Sequence, residues 1–169
     1  MRALARIKHL PWTLDLAGDG PLEARLRSQA AELGIAGRVQ FLGFCSDPAA
    51  LLREAQIFAL ISRSEAFPYG ILEAMRAGLP VLASAVGGVS EAVAESSTGL
   101  LAAPGDEVQL AAHLERLVSE PALRKQLGDN GRRRFLEQFT FDRMLAGTLE
   151  VYREATQTAA PLARPQPQN

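Results

Sequence analysis

The sequence predicts an α/β protein in which a parallel sheet is flanked by helices, and three observations point there. Apolar runs of strand length alternate with stretches of helix length, so residues 56–61 and 80–83 read as consecutive strands with a helix between them. Glycine and proline mark the joins, as in Gly18-Asp19-Gly20-Pro21, Gly34 and Pro104-Gly105. The composition of the 169 residues, 47% hydrophobic and 22% charged, suits one domain with its own core.

Taken in order, residues 2–10 read as an amphipathic helix with Leu4, Ile7 and Leu10 on one side, closed by Pro11. Residues 12–17 form a strand. The turn from Gly18 to Pro21 leads into a helix over 22–33, with Pro21 at or near its first position and Gly34 ending it. Gly18 and Gly20 are half of a G-x-G-x-x-G dinucleotide loop, but Glu23 stands where the third glycine belongs. A tight strand-to-helix turn bordering a nucleotide site is therefore preferred over a dinucleotide loop.

Residues 38–44 give the next strand, and Asp47 caps a helix over 48–55. Cys45 reads as a small residue at a strand end, since no histidine lies near it in sequence to make it a nucleophile. A buried strand over 56–61 runs into a helix that starts near Pro68 or Tyr69. A strand over 80–83, a Gly87-Gly88 loop, a short helix over 90–94 and a strand over 99–103 follow. The remainder is helical: Asp106 caps 108–118, Pro121 opens 122–127, a separate basic helix covers 128–139, and an amphipathic one covers 141–155. Residues 156–169, rich in Pro, Gln and Ala, read as a disordered tail, which leaves one domain over 1–155.

The chemistry concentrates between residues 62 and 93, around Glu65 and Glu73. The loop leaving the strand at 56–61 sits at the carboxyl edge of a parallel sheet, where open α/β folds bind ligands. Glu73 falls about one turn into the following helix at ~3.6 residues per turn. The free N–H groups and positive dipole end of that helix favour a phosphate, while carboxylates suit the donor hydrogens of vicinal hydroxyls. Taken singly, Glu65 is better explained as an acid stabilising the dipole near a helix start, and Glu73 as an exposed helical carboxylate. Their shared context decides against that.

That context resembles the C-terminal nucleotide-sugar-binding domain of GT-B glycosyltransferases, in particular the retaining family 4 enzymes (glycosyl transferases group 1). Their signature is E-x7-E followed by A-M-x-x-G-x-P-V-V-A-S-x-x-G-G. This chain has Glu65 and Glu73, then Ala74-Met75, Gly78, Pro80-Val81-Leu82-Ala83-Ser84 and Gly87-Gly88. The stretch from Trp12 to Pro21 resembles the family's W-x-L-x-I-x-G-x-G-P element, and Gly99 to Asp106 its G-x-L-x-x-P-G-D passage.

The resemblance implies a Rossmann-like half of a two-domain enzyme that moves a sugar from a nucleotide diphosphate to an acceptor with retention. It implies that Glu65 contacts the transferred sugar and steadies charge at its anomeric carbon, and that Glu73 binds the ribose hydroxyls. Phe67, Pro68, Tyr69, Gly70 and Ile71 would present backbone amides to the sugar and diphosphate. Pro68 stands where many relatives have glycine, which removes one N–H donor. Gly18, Gly20, Phe44 and Cys45 are further candidates for nucleotide contacts. No metal and no cofactor beyond the nucleotide-diphosphate sugar is implied, and the chain has no D-x-D pair.

The same resemblance places a strand, a G-R loop and a lysine ahead of the point matching Met1, together with an acceptor-binding N-terminal domain. Arg6 and Lys8 are not assigned the role of those cations. A missing N-terminal domain is thus an expected partner, beside the donor and a glycan, lipid or small-molecule acceptor. Rival readings are a nucleotide-sugar-binding subunit without catalysis of its own and an inactive truncated remnant.

The formal net charge of −1 gives no reason to expect nucleic acid, and the single cysteine excludes an internal disulfide. No apolar run approaches the ~20 residues of a membrane span, and the N-terminus lacks a secretion signal, so a cytoplasmic protein is expected. Arg132-Arg133-Arg134 reads as a solvated helix face. Peripheral contact with the inner face of a membrane is the alternative, because relatives use lipid-linked acceptors.

Overall fold

The computed structural model describes residues 1–158, with side chains through residue 157. Helix α1 (Arg2–Arg6) precedes a strand-helix-strand unit of β1 (Leu14–Ala17), α2 (Glu23–Glu32) and β2 (Val39–Gly43). After α3 (Pro48–Glu54) come β3 (Phe58–Leu60), α4 (Tyr69–Ala77), β4 (Val81–Ser84), α5 (Val89–Ala92) and β5 (Gly99–Ala102). Helices α6 (Glu107–Ser119), α7 (Pro121–Gln138) and α8 (Phe141–Thr158) complete the described chain.

All strand pairs are parallel, but the predicted sheet is present as two: β1 with β2, and β3-β4-β5. Parallel neighbours need a crossover, and each is made through a helix. In the larger sheet Phe58 pairs with Val81 and Val81 with Gly99, so β4 is the central strand. Every residue of β4 is buried. Because side chains alternate across a strand, Val81 and Ala83 join Ile71, Leu72, Met75, Val89 and Val93 on one face. Leu82 joins Leu100, Leu117 and Leu127 on the other. This two-sided burial is why residues 80–83 read as an unbroken apolar run.

Strand β3 departs from its sequence reading. It is half-exposed, with Ala59 on the open side and Ile61 just beyond it 48% exposed. It pairs with β4 alone among the described strands, which explains the exposure. The first helix is also shorter than predicted, ending at Arg6, with Ala3 and Ile7 rather than Leu4 and Leu10 carrying its burial. Pro21 lies ahead of α2, whose N-cap is Leu22, so it shapes the turn and not the first helical position.

The break predicted at Gly128 is absent, and α7 runs unbroken across it. Gly128 is buried where α7 crosses the end of α4, and a Cβ there would be driven well inside 3.0 Å of the Gly78 carbonyl oxygen. One turn on, a Cβ on Gly131 would meet Met75 Cγ at 3.6 Å. Helical glycine costs about 1 kcal/mol relative to alanine, and the close approach it permits offsets that cost. Gly128→Ala is accordingly expected to destabilise by about 1–3 kcal/mol through overpacking, although alanine is the better helix former. A thermal melt in which Gly128→Ala raises Tm would refute this account.

Two caps are as predicted. Asp47 Oδ1 accepts from Ala50 N at 3.1 Å, and Asp106 Oδ1 accepts from Val108 N at 3.0 Å and Gln109 N at 2.9 Å. Arg134 is not part of a solvated basic face. Its guanidinium donates to the carbonyls of Ala92 and Glu91 at 2.9 and 2.8 Å and lies over the Phe139 ring. Helix α8 includes residues 156–158, which belong to the predicted tail; residues 159–169 lie outside the described part. Among the described residues no helix is long and apolar enough to cross a membrane.

Candidate active site

The site is built from the loop that joins β3 to α4. Strand β3 ends at Leu60, and the chain passes Ser62 and Glu65 before Pro68, the N-cap of α4. Pro68 is buried with extended backbone (φ −80°, ψ 111°), so Tyr69 takes the first helical position that the sequence reading also allowed to Pro68. The Ile71 amide donates to the Pro68 carbonyl at 3.2 Å. Tyr69 and Gly70, the first two residues of the helix, have no preceding turn to accept their N–H groups. Gly78 closes α4 with φ 78°, a left-handed C-cap.

Glu65 is half-buried, and its Oε1 accepts a 2.5 Å hydrogen bond from Ser62 Oγ. Ser62 in turn lines a cavity of about 440 Å³ at the carboxyl ends of β3, β4 and β5, with Arg63, Ser84, Pro104, Asp106 and Arg2. Glu73 is exposed on α4. It lines a second, more apolar cavity of about 470 Å³ with Phe67, Tyr69, Arg76, Phe139 and Phe141. Glu73 thus lines a cavity itself, whereas Glu65 reaches the other only through Ser62.

The other predicted residues divide in the same way. Phe67 is half-buried with its ring 6.0 Å from that of Phe139, and Tyr69 is 78% exposed. Ile71 is fully buried, so its side chain belongs to the core and its amide to the turn. Gly70 packs on β3: a Cβ there would meet Phe58 Cζ at 3.3 Å. Gly18, Gly20, Phe44 and Cys45 gather beyond the carboxyl ends of β1 and β2, where Gly18 N donates to the Gly43 carbonyl at 2.7 Å. Phe44 is 79% exposed and Cys45 half-buried.

Sequence reasoning passed over Ser62 and Arg63. The signal was present, since Ser62 lies three residues before Glu65 and Arg63 is the only cation between them. Arg2, also at the cavity, is ion-paired with Glu107. The Arg2 hydrogen bond holds the Glu107 carboxyl below its ordinary range. Whatever that pair contributes is present above the usual carboxylate pKa and lost as pH falls through the lowered one. Among the described residues no three His, Cys, Asp or Glu side chains converge as a metal site.

Residues 1–134 match the family described as Glycosyl transferases group 1. The chain belongs to this family. Among curated relatives, it is 36% identical over 163 residues to the MMP alpha-(1->4)-mannosyltransferase of Mycolicibacterium hassiacum, covering 92% of this chain and 39% of that enzyme. It is 40% identical over 134 residues to the D-inositol 3-phosphate glycosyltransferase of Salinispora arenicola, covering 78% and 30%. The fold is similar to that of sucrose-phosphate synthase from Thermosynechococcus elongatus, with TM-score 0.81, 30% identity, and 94% and 42% coverage. It is also similar to Anabaena Alr3699/HepE in complex with UDP-glucose, with TM-score 0.78, 31% identity, and 88% and 43% coverage. The group 1 chain therefore spans less than half the length of these relatives. Its parallel sheets flanked by helices form a Rossmann-like half of the GT-B kind.

Proposed function

We propose that this group 1 chain is the C-terminal, donor-binding half of a retaining family 4 glycosyltransferase that takes its sugar from a nucleotide diphosphate. The observation that carries the reading is the juxtaposition of Glu65, held by Ser62 at the carboxyl end of β3, with the N-terminus of the helix that bears Glu73. The likeness to a protein whose structure holds UDP-glucose supports the choice of donor class.

In this reading the Tyr69 and Gly70 amides and the dipole of α4 meet the diphosphate, with Arg63 the nearby cation of the loop. Glu73 accepts hydrogen bonds from the ribose hydroxyls, and Glu65 faces the sugar. As the glycosidic bond breaks, positive charge grows at the anomeric carbon, as in other oxocarbenium-like glycosyl transfers, and the fixed carboxylate of Glu65 stabilises it. Negative charge grows on the leaving diphosphate, which the helix N-terminus and cations stabilise without a resident metal.

Transfer requires an acceptor surface, and the relatives are more than twice as long as the matched region. The second reading is a donor-binding subunit that acts only with a separate acceptor-binding domain. Calorimetry of residues 1–169 with UDP-, GDP- and ADP-sugars tests what the two readings share, and heat from none of them would refute donor binding by this chain. Transfer activity appearing only after addition of an acceptor domain in trans would favour the subunit. Glu73→Ala is expected to weaken nucleotide binding by about 10- to 100-fold, the equivalent of ~1.5–3 kcal/mol for hydrogen bonds to a charged group. Unchanged affinity in that variant would remove Glu73 from the ribose.

A further inference from the structure

A carboxylate on a loop is placed only as well as the loop is braced. Ser62 holds the Glu65 side chain, but its backbone is held from elsewhere. The turn that follows β4 reaches across to it, and the Gly88 amide donates to the Ala66 carbonyl at 2.8 Å. The contact is closer than any side chain allows. A Cβ on Gly87 would lie well inside 3.0 Å of the Glu65 carbonyl oxygen and 2.9 Å from its carbonyl carbon. A Cβ on Gly88 would be driven into the Ala66 carbonyl oxygen and stand 2.8 Å from Phe67 Cδ2. Gly87 also has φ +49°, a left-handed conformation that favours glycine.

The partner of this contact is rigid. Strand β4 is buried along its whole length and paired on both edges, so the turn leaving it has a fixed origin. Backbone pressed on backbone transmits that position to residues 65–67 without an intervening rotamer. We infer that Gly87 and Gly88, together with Ser62, are positioning residues that set where the Glu65 carboxylate stands. The sugar-facing role of Glu65 is taken from the function proposed above; the brace itself is independent of it.

The experiment uses residues 1–169 carrying Gly87→Ala, Gly88→Ala or Ser62→Ala, with Gly128→Ala as the control. The control introduces a clash of the same kind between α7 and α4, remote from the loop. UDP-glucose, ADP-glucose and GDP-mannose are titrated beside UDP, ADP and GDP. A brace acting through Glu65 changes the ratio of sugar-nucleotide to diphosphate affinity on the order of tenfold in Gly87→Ala. On a Glu65→Ala background it changes that ratio no further, because coupled residues are not additive. Ser62→Ala, which adds no atom, moves the ratio in the same direction. Gly128→Ala leaves the ratio unchanged even where it lowers Tm as much.

Amide exchange and the Glu65 carboxyl ¹³C resonance read the brace without ligand. In Gly87→Ala, protection of the Gly88 amide falls about tenfold and the Glu65 resonance moves, while in Gly128→Ala neither changes. A ratio that moves equally in the control, or a protected Gly88 amide with an unmoved Glu65 resonance in Gly87→Ala, overturns the inference. If no nucleotide binds to any variant, the donor reading fails, and the exchange and resonance data alone decide the brace.

Discussion

Glu65→Gln is expected to lower the turnover of sugar transfer by about 10²- to 10³-fold, the range for removing one well-placed charge-stabilising group. Glutamine keeps the size of the side chain and a carbonyl oxygen for the Ser62 hydroxyl. Only the charge is lost. Since that charge matters most when the anomeric carbon turns positive, the effect falls on kcat, and affinity for the sugar-free nucleotide stays within about twofold. The assay uses a chimera in which this chain replaces the matching part of the Mycolicibacterium hassiacum mannosyltransferase. Turnover equal to that of the unsubstituted chimera would mean that Glu65 does not face the reacting carbon.

The largest expected effect on stability lies beneath the site. Met75 is fully buried on α4, between β4 and the glycine-lined stretch of α7. Met75→Ala should cost about 2–5 kcal/mol, because backbone contacts at Gly128 hold the two helices apart and prevent collapse into the void. At about 2–4 °C per kcal/mol for a chain of this size, Tm falls by roughly 4–20 °C. Met75→Leu, which conserves volume, should cost less than about 1.5 kcal/mol. Equal melting of Met75→Ala and the unsubstituted chain would show the α4–α7 contact to be loosely packed.

Most elements were legible because their signals are local. Asp47 and Asp106 announce their caps by residue type, and the unbroken apolar run before Ser84 announces a strand covered on both faces. What was not legible depends on contacts far apart in sequence. Gly128 reads as a helix end until Gly78 is brought against it. Arg134 reads as one of three solvated arginines until the carbonyls of Glu91 and Ala92 come within reach. The openness of β3 is a matter of how many partners pair with it, which its residues do not encode. At the site, the two acids are conspicuous in sequence, whereas the glycines that brace one of them resemble an ordinary turn.

Helix α8 carries a consequence of its own. Every described side chain from Phe141 to residue 157 is exposed, including Leu145, Leu149 and Tyr152 on one stripe. An 18-residue helix with so little tertiary cover is near the limit of what water tolerates. Warming should fray it well before the sheet gives way, so circular dichroism would record two steps where a single cooperative melt is usual for a chain this short. Trypsin should find Arg143 and Arg153 first, while α7, its backbone packed on α4 at Gly128 and Gly131, stays uncut even at the exposed Arg132 and Arg133; a brief digest would release α8 and leave the β3-β4-β5 layer whole.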